Sequence, residues 1–356
     1  MKKKIGILVD SDLISGQIHD FIQMSCSSNN YQITTFIVNN VQINQANFIS
    51  NIFSYVKRRG IFKFLYTALF RIICISELLI LKIFKKYSNA MKSHKLSLDD
   101  YQVINVNPII SKTGFVYRYE RADIEKIKTQ KLDLIIRAGS GILRGDILNI
   151  CPNGIISFHH GDNNVNRGGP PGFWEVYNQN PKTGFIIQRL NEELDGGDVL
   201  FKGFIQTNWL YSLNLLKLYD ASTSSLHNVI NNITSNHSSI SILEKIPYAF
   251  NLNKTPTFFQ SIIYLAKTFI VIFKKALRRI TNKHYRWGVA YQFVDSWNDV
   301  TLSRSKIIPN PHNRFLADPF VMYKNGEHFC FVEDYDFSKK KGCISVYKIT
   351  SNEMSG

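Results

Sequence analysis

The chain has 356 residues, 44% of them apolar, and its 43 Lys and Arg against 27 Asp and Glu give a formal charge of +16. This composition leads to the expectation of a globular protein with one large or two smaller cores, whose basic balance suits acidic partners such as RNA, anionic lipid or phosphorylated metabolites without choosing among them. Five cysteines, Cys26, Cys74, Cys151, Cys330 and Cys343, are odd in number and show no C-x-x-C spacing, which argues against a disulfide framework or a zinc site and fits a reducing compartment.

The amino terminus, MKKKIGILVD, carries an apolar run that Asp10 and Asp12 interrupt too early for a signal peptide, so Ile5 to Val9 reads as a cytoplasmic first strand. A helix and the strand-like Tyr31 to Val38 complete a βαβ opening. Further strands are expected at Tyr101 to Val106, Leu132 to Ile136 and Gly154 to Phe158, each followed by a helical or glycine-containing segment. This alternation predicts an α/β fold, a Rossmann-like, doubly wound, mostly parallel sheet with its site at the carboxyl ends of the strands.

Two basic, apolar helices accompany that core. In the first, over about 52–87, the stretch Phe64 to Leu81 is long enough to cross a bilayer, but Arg71 and Glu77, read as a buried charge pair, argue against spanning. The second, Phe259 to Lys283, places Lys267, Lys274 and Arg278 on one face. It is expected either to lie on an anionic membrane surface or to pack on a neighbouring domain with a solvated basic face. From Arg314 the pattern alternates apolar and polar residues around turns at Asn325-Gly326 and Lys341-Gly342. That predicts a short antiparallel β segment of three strands and the start of a fourth, one blade's worth of sheet. An isolated blade leaves its edges unpaired, so the expected organisation is a Rossmann-like domain over 1–207 with a helical insertion at about 52–97, a mainly helical connector over 208–300, and over 301–356 the first blade of a truncated β-propeller.

The chemistry concentrates between Ile155 and Leu200. Gly154 to His160 reads as a strand leading into a polar, glycine-containing loop, with His159 at its carboxyl end. Leu194-Asp195-Gly196-Gly197-Asp198 reads as a second loop between two strands. A histidine hydrogen-bonded to an aspartate keeps its proton more readily and can stabilise a developing oxyanion or relay protons near neutral pH. His160 reads as a catalytic group or as a core or loop histidine hydrogen-bonded to backbone. Arg167 either anchors a substrate phosphate or pins its loop, and Phe173, Trp174 and Tyr177 read as core before substrate-stacking. His159, His160, Asp162 and Asp198 match no standard metal-ligand spacing, so no metal is expected.

Residues 132–200 resemble the catalytic half of the 10-formyltetrahydrofolate-dependent formyltransferases. The segment Asp133-Leu-Ile-Ile-Arg-Ala-Gly-Ser-Gly-Ile-Leu143 is similar to that family's strand and folate-contacting loop. Arg167-Gly168, Thr183-Gly184 and Leu194-Asp195-Gly-Gly-Asp198 match its punctuation with no gap between His159 and Asp195. The resemblance implies 10-formyltetrahydrofolate as formyl donor, contacted by Ala138, Gly139, Ser140, Gly141, Ile142, Leu143 and Leu194. It makes His159 and Asp195 catalytic, and puts Ser157 where the family has an asparagine. A serine hydroxyl can donate one hydrogen bond to the formyl oxygen but is shorter than an amide. The usual leucine-rich loop after the histidine is replaced by His160-Gly-Asp162-Asn-Asn-Val-Asn166, which makes Asn163, with Arg167, a candidate for substrate binding. The mechanism implied is direct: an amine attacks the formyl carbon, His159 with position 157 holds the oxyanion, and Asp195 orients the imidazole.

Ala317-Asp318-Pro319-Phe320, Phe331-Val-Glu333-Asp334 and Gly342-Cys-Ile-Ser345 are in turn similar to the first blade of five-bladed propellers related to glycoside hydrolases and to the amino-terminal domain of glucosamine inositolphosphorylceramide transferase. Asp318 and Glu333 are either sugar-contacting acids or turn and ladder residues. The two resemblances together imply an amino-sugar acceptor in surface-glycan biosynthesis, handled in the cytoplasm or at the inner membrane face. Methionyl-tRNA formylation suits the positive charge, but the carboxyl-terminal part does not resemble that enzyme's RNA-binding barrel, so nucleic acid is not the expected partner. A carbohydrate-binding or glycosyl-transferring protein with an inactive formyltransferase domain is the other alternative, for which Ser157 speaks.

Overall fold

The computed structural model describes residues 2–41, 56–57, 60–83, 92–96, 98–162, 164–165, 167–193, 196–235, 242–243, 252–281, 286–296 and 300–350. They divide into two compact units, 1–271 and 272–356.

The first unit is built on seven strands: β1 Lys3–Val9, β2 Tyr31–Asn39, β3 Gln102–Val106, β4 Leu134–Arg137, β5 Ile155–His159, β6 Lys182–Arg189 and β7 Asp198–Gln206. Their spatial order is β7-β6-β5-β4-β1-β2-β3. β1 to β5 run parallel, while β6 and β7 turn back antiparallel at one edge. The strand order therefore reverses between β1 and β4, the switch point that opens a crevice at the carboxyl ends of an α/β sheet.

The central strands are apolar without alternation because both faces are covered. On one face Ile5, Ile7, Leu134, Ile136, Ile156 and Ile187 pack with Ile18, Phe21 and Ile22 of α1 (Gly16–Ser25) and with Leu226, Val229 and Ile230 of a long helix, Tyr211–Thr234. On the other, Leu8, Ile37, Ile104, Ile135 and Ile155 pack with Ile124 and Ile127 of the helix Arg121–Lys128. Each such side chain contributes about 1.5–3 kcal/mol by leaving water. The segment after 207 thus begins as a layer of the core and not as a connector, because without Tyr211–Thr234 the α1 face of the sheet would lie bare.

In chain order the remaining helices are α2 Ile61–Lys82, α3 Arg121–Lys128, α4 Phe173–Asn178, α5 Tyr211–Thr234 and α6 Phe258–Ile280. α2 lies in the crossover from β2 to β3 and packs Phe70 and Ile73 against Phe173, Val176, Tyr211 and Tyr264. The flanks of the expected helix, toward 52 and 87, fall outside the described residues. The expected Arg71–Glu77 pair does not form, since six residues along a helix put the two side chains on different faces. Arg71 faces solvent. Glu77, 5% exposed, instead accepts hydrogen bonds from the Tyr264 hydroxyl and, at 2.8 Å, from the Ser212 amide. Burial pushes its carboxyl above the usual range, and these donors only partly offset that.

In the second unit β8 Arg314–Lys324, β9 Glu327–Asp336 and β10 Lys341–Ile349 form an antiparallel meander. Asn325 and Gly326, at φ 51° and 82°, close the first hairpin with the two positive φ values such a turn requires. The second turn lies earlier than its glycine suggests. It occupies residues 337–340, with Lys340 at φ 51°, while Gly342 stands in the ladder opposite Tyr335. A Cβ there would meet only the movable Glu333 side chain, with Oε1 at 3.0 Å, so this glycine is a ladder residue and not part of the turn. The expected fourth strand falls outside the described residues. A short pair, Val289–Tyr291 with Lys306–Ile308, adds Val289 and Ile308 to a core of Leu316, Cys330, Val332 and Ile349. Asp334, 2% exposed, is fully engaged: Arg314 donates to both its oxygens at 2.8 and 2.7 Å, and the Ser345 hydroxyl donates at 2.8 Å.

Candidate active site

At the switch point the carboxyl ends of β1 and β4 meet in a polar cluster. Arg137 ends β4 with its side chain only 3% exposed, and its Nη1 lies 3.2 Å from Asp10, the residue that follows β1. Asp10 also accepts from the Asn39 amide at 2.8 Å, from the Ser140 backbone N–H at 2.6 Å and from the Ser140 hydroxyl at 2.9 Å. Burial works against ionisation of Asp10, but Arg137 and these donors outweigh it and hold the carboxyl below its ordinary value. Arg137 Nε has no hydrogen-bond partner among the described residues. Neither Asp10 nor Arg137 stands out in the sequence motifs, although a charge immediately after a fully apolar strand is the signal that marks each.

The segment 138–143 curves over this pair. A Cβ on Gly139 would lie 2.1 Å from Arg137 Nη1 and 2.6 Å from Asp10, and one on Gly141 would lie 2.6 Å from the Tyr117 ring, so glycine at both places permits a close approach. Gly139 and Ser140 are exposed, Ala138, Gly141 and Ile142 are half-buried, and Leu143 is part of the core against Tyr117. Of the residues expected to touch a folate, Gly139 to Ile142 are open to a ligand and Leu143 is not.

One strand further, Ser157 and His159 share a face of β5. Ile156 and Phe158 belong to the α1 and α5 face, so alternation turns Ile155, Ser157 and His159 the other way, toward the face that carries Arg137. Ser157 is in register with Arg137 on β4 and with Gln188 on β6. Its hydroxyl donates to the Phe158 carbonyl at 3.1 Å. Gln188 is 5% exposed, and its Oε1 has no hydrogen-bond partner among the described residues. Directly opposed residues of an antiparallel pair project on the same side, so the Gln188 amide stands beside Ser157. Sequence reasoning had no signal for Gln188, since only the strand register brings it to Ser157.

Leu194 and Asp195 lie outside the described residues, as does Asn163, and of Arg167 only the backbone is described. The flanks of the Asp195 loop are nevertheless fixed. The Asn191 amide donates to the Gly196 carbonyl at 2.9 Å, and a Cβ on Gly197 would lie 2.4 Å from the Arg189 carbonyl and 3.2 Å from Gln188 Oε1. Gly197, after the loop, therefore lies beside Gln188, the neighbour of Ser157. The backbone of Arg167–Gly168 pairs with Leu252–Asn253. Gly184 admits Asp162, whose Cβ would lie 2.6 Å from an added methyl, and Asp162 pairs with Lys202 at 2.7 Å.

His160 goes to the opposite face. Its ring stacks on Phe158 and meets Tyr219 edge-on, and its Nε2 lies 3.0 Å from the Gln17 amide nitrogen and 3.1 Å from the Ser222 hydroxyl. Burial, aided by neighbouring His159, lowers its pKa to about 3, so the ring is neutral at physiological pH. It is a half-buried histidine held by side chains. Among the described residues no group of three His, Cys, Asp or Glu side chains is arranged to hold a metal ion.

In the second unit Asp318, at φ 46°, sits where the β8–β9 register shifts between Ala317 and Phe320. With Trp287, Phe315 and Glu333 it lines a cavity of about 410 Å³.

No protein-family model matches the sequence, and no curated protein matches it. Solved structures are similar to the chain at low identity. Glycinamide ribonucleotide transformylase 1 from Symbiobacterium toebii matches at 14% identity over 68% of this chain and 95% of its own, with a TM-score of 0.41. A sugar N-formyltransferase from a Shewanella species matches at 17% over 75% and 87%, with a TM-score of 0.39. A formyltetrahydrofolate deformylase from Pseudomonas syringae matches at 13% over 66% and 62%, with a TM-score of 0.40. The class of protein defined by strand order and site position is a Rossmann-like α/β protein with a crevice at its switch point.

Proposed function

We propose that the first unit transfers a formyl group from 10-formyltetrahydrofolate to the amine of an amino sugar. The observation that carries this reading is the row Arg137, Ser157 and Gln188, in register on the face of β5 that also bears His159, with Gly197, after the Leu194–Asp195 loop, beside Gln188. Gly139 to Ile142 are open at the edge of the crevice and would hold the donor, which when bound supplies an electrophilic formyl carbon. His159 donates a hydrogen bond toward the formyl oxygen as negative charge grows there, and Asp195 keeps its ring oriented. The Ser157 hydroxyl is committed to the Phe158 carbonyl, so Gln188 takes the part of the missing asparagine. Because the oxygen and nitrogen of an amide exchange places on a half-turn, its unpartnered end can present N–H to that oxygen. The amino-sugar acceptor rests on the glycan-type motifs of the second unit and on its cavity with Trp287, Asp318 and Glu333.

The test incubates the full chain with 10-formyltetrahydrofolate and nucleotide-linked amino sugars and follows tetrahydrofolate release. Gln188→Leu is expected to lower kcat about a hundredfold, the range for losing one oxyanion donor, and Ser157→Ala by less than about threefold. No release with any amine would instead favour a carbohydrate-binding protein with an inactive first unit, the reading that the committed Ser157 hydroxyl supports.

A further inference from the structure

Helix α6 packs with the wrong face for a helix of a water-soluble surface. Of its 23 residues Ser261, Tyr264 and Thr268 are buried, a narrow stripe at spacings of three and four, and two of the three are hydroxyl residues too small to fill a core. The Ser261 hydroxyl is completely buried with no hydrogen-bond partner among the described residues. The apolar side chains look outward: Phe259 is 77% exposed and Ile280 80%, with Ile262, Ile263, Ile270 and Leu277 also exposed between them. A helix settled against its own protein in water shows the reverse arrangement.

Helix α2 repeats the pattern. It buries Phe70, Ile73, Glu77 and Leu81 and exposes Ile61, Leu65, Ile72, Ile75 and Leu79 along the opposite stripe. Its length and mean hydropathy of 2.0 would allow it to cross a bilayer. The Glu77 contacts with Tyr264 and Ser212 hold one side of it on the protein, however, so it presents a face and does not insert alone. Soluble monomers rarely expose contiguous apolar surface on the scale of either stripe.

Charge selects what covers them. Lys274 and Arg278, both exposed and one turn apart, flank the apolar stripe of α6, while Lys267, two turns earlier on the same side, is held on the protein by the Tyr177 carbonyl and ring. The chain as a whole carries +16. A second copy would set like charges against each other, whereas anionic headgroups beside acyl chains match both the apolar stripe and its basic border. We infer that α2 and α6 are a docking face for the anionic surface of a lipid bilayer, with α6 lying in the plane of the interface and Lys274 and Arg278 at the level of the headgroup phosphates. The inference is independent of the formyl-transfer reading.

Flotation of the full chain with vesicles tests it. Binding is expected to vesicles of phosphatidylcholine containing about one-third phosphatidylglycerol, to be much weaker with phosphatidylcholine alone, and to fall in roughly 0.5 M salt. Each basic residue near an anionic surface is worth roughly fivefold in partitioning, so Lys274→Gln with Arg278→Gln should weaken binding about 25-fold. Phe259→Ser with Ile263→Ser should weaken it at least about tenfold, with the unfolding midpoint unchanged because both positions are exposed. Equal binding to charged and neutral vesicles, no flotation, or variants that float like the parent would overturn the inference. So would a dimer in lipid-free solution that Phe259→Ser with Ile263→Ser disperses, since a second copy would then own the face.

Discussion

On the α1 and α5 face of the sheet, His160 lies between Phe158 and Tyr219 with the Gln17 amide and Ser222 hydroxyl at its ring nitrogen, and burial keeps it neutral. On the opposite face His159, one residue earlier, ends β5 on the side of Arg137 Nε and Gln188 Oε1, which have no hydrogen-bond partner among the described residues. The two faces differ in how completely their polar groups are served. Beneath α5 the ring nitrogen that needs a partner has one, so the interior has no demand left for a ligand. At the carboxyl edge a buried donor and a buried acceptor have no partner among the described residues, and such atoms cost about 1–3 kcal/mol each unless something else comes to meet them. The step of one residue along a strand is enough to separate a structural histidine from a candidate catalytic one.

The largest effect expected from that contrast is on catalysis. His159→Ala should lower kcat/KM for the proposed formyl transfer by roughly 10²–10⁴, the contribution of a positioned proton-transfer group, and leave the folding stability within about 0.5 kcal/mol of the parent. A loss of folding in place of activity would put both histidines in the core and dissolve the distinction. Next comes the pH dependence of stability from His160. Its folded value of about 3 lies below the ordinary 6.5, so between these the unfolded chain binds the proton and the folded chain does not. Stability should therefore fall as pH drops from about 6.5 toward 3, by an amount on the order of a few kcal/mol. Denaturant titrations of His160→Gln should show that limb flattened while formyl transfer is kept; an unaltered limb would mean that His160 protonates freely. The smallest shift concerns the switch point. Asp10→Asn leaves the buried Arg137 without its counter-charge and should cost about 3 kcal/mol at neutral pH. Because the Asp10 carboxyl is held below its ordinary value, its contribution is present above the usual carboxylate range and fades as pH falls through the depressed value, so parent and variant should converge in acid. Thermal melts from neutral pH to about pH 2 read the convergence.

Much of the first unit was legible because local and long-range signals agree there. The apolar runs of β1, β4 and β5 could be nothing but strands covered on both faces, and His159 ends β5 as its pattern predicts. What escaped depends on register or on partners remote in sequence. Gln188 meets Ser157 only through antiparallel pairing, Asp10 and Arg137 are 127 residues apart, and Tyr211–Thr234 reveals its place only when the α1 face is seen to need a cover. Gly342 misled for the opposite reason: glycine marks turns, yet here it stands in the ladder opposite Tyr335. Arg71 and Glu77 misled because opposite charges on one helix invite pairing, yet Glu77 found a hydroxyl and a backbone amide on other helices.

That Glu77 carboxyl has a consequence for how the molecule can be taken apart. It joins three helices that are far apart in the chain, accepting from the first turn of α5 and from the second turn of α6 while belonging to α2. Shortening the β2–β3 crossover by removing α2 would strand a buried backbone N–H and a buried phenol at once, and would strip the apolar cover from Phe173 and Tyr211. The three helices therefore form one cooperative block. The crossover helix can be neither trimmed nor transplanted without unravelling the start of α5, which carries the far layer of the sheet.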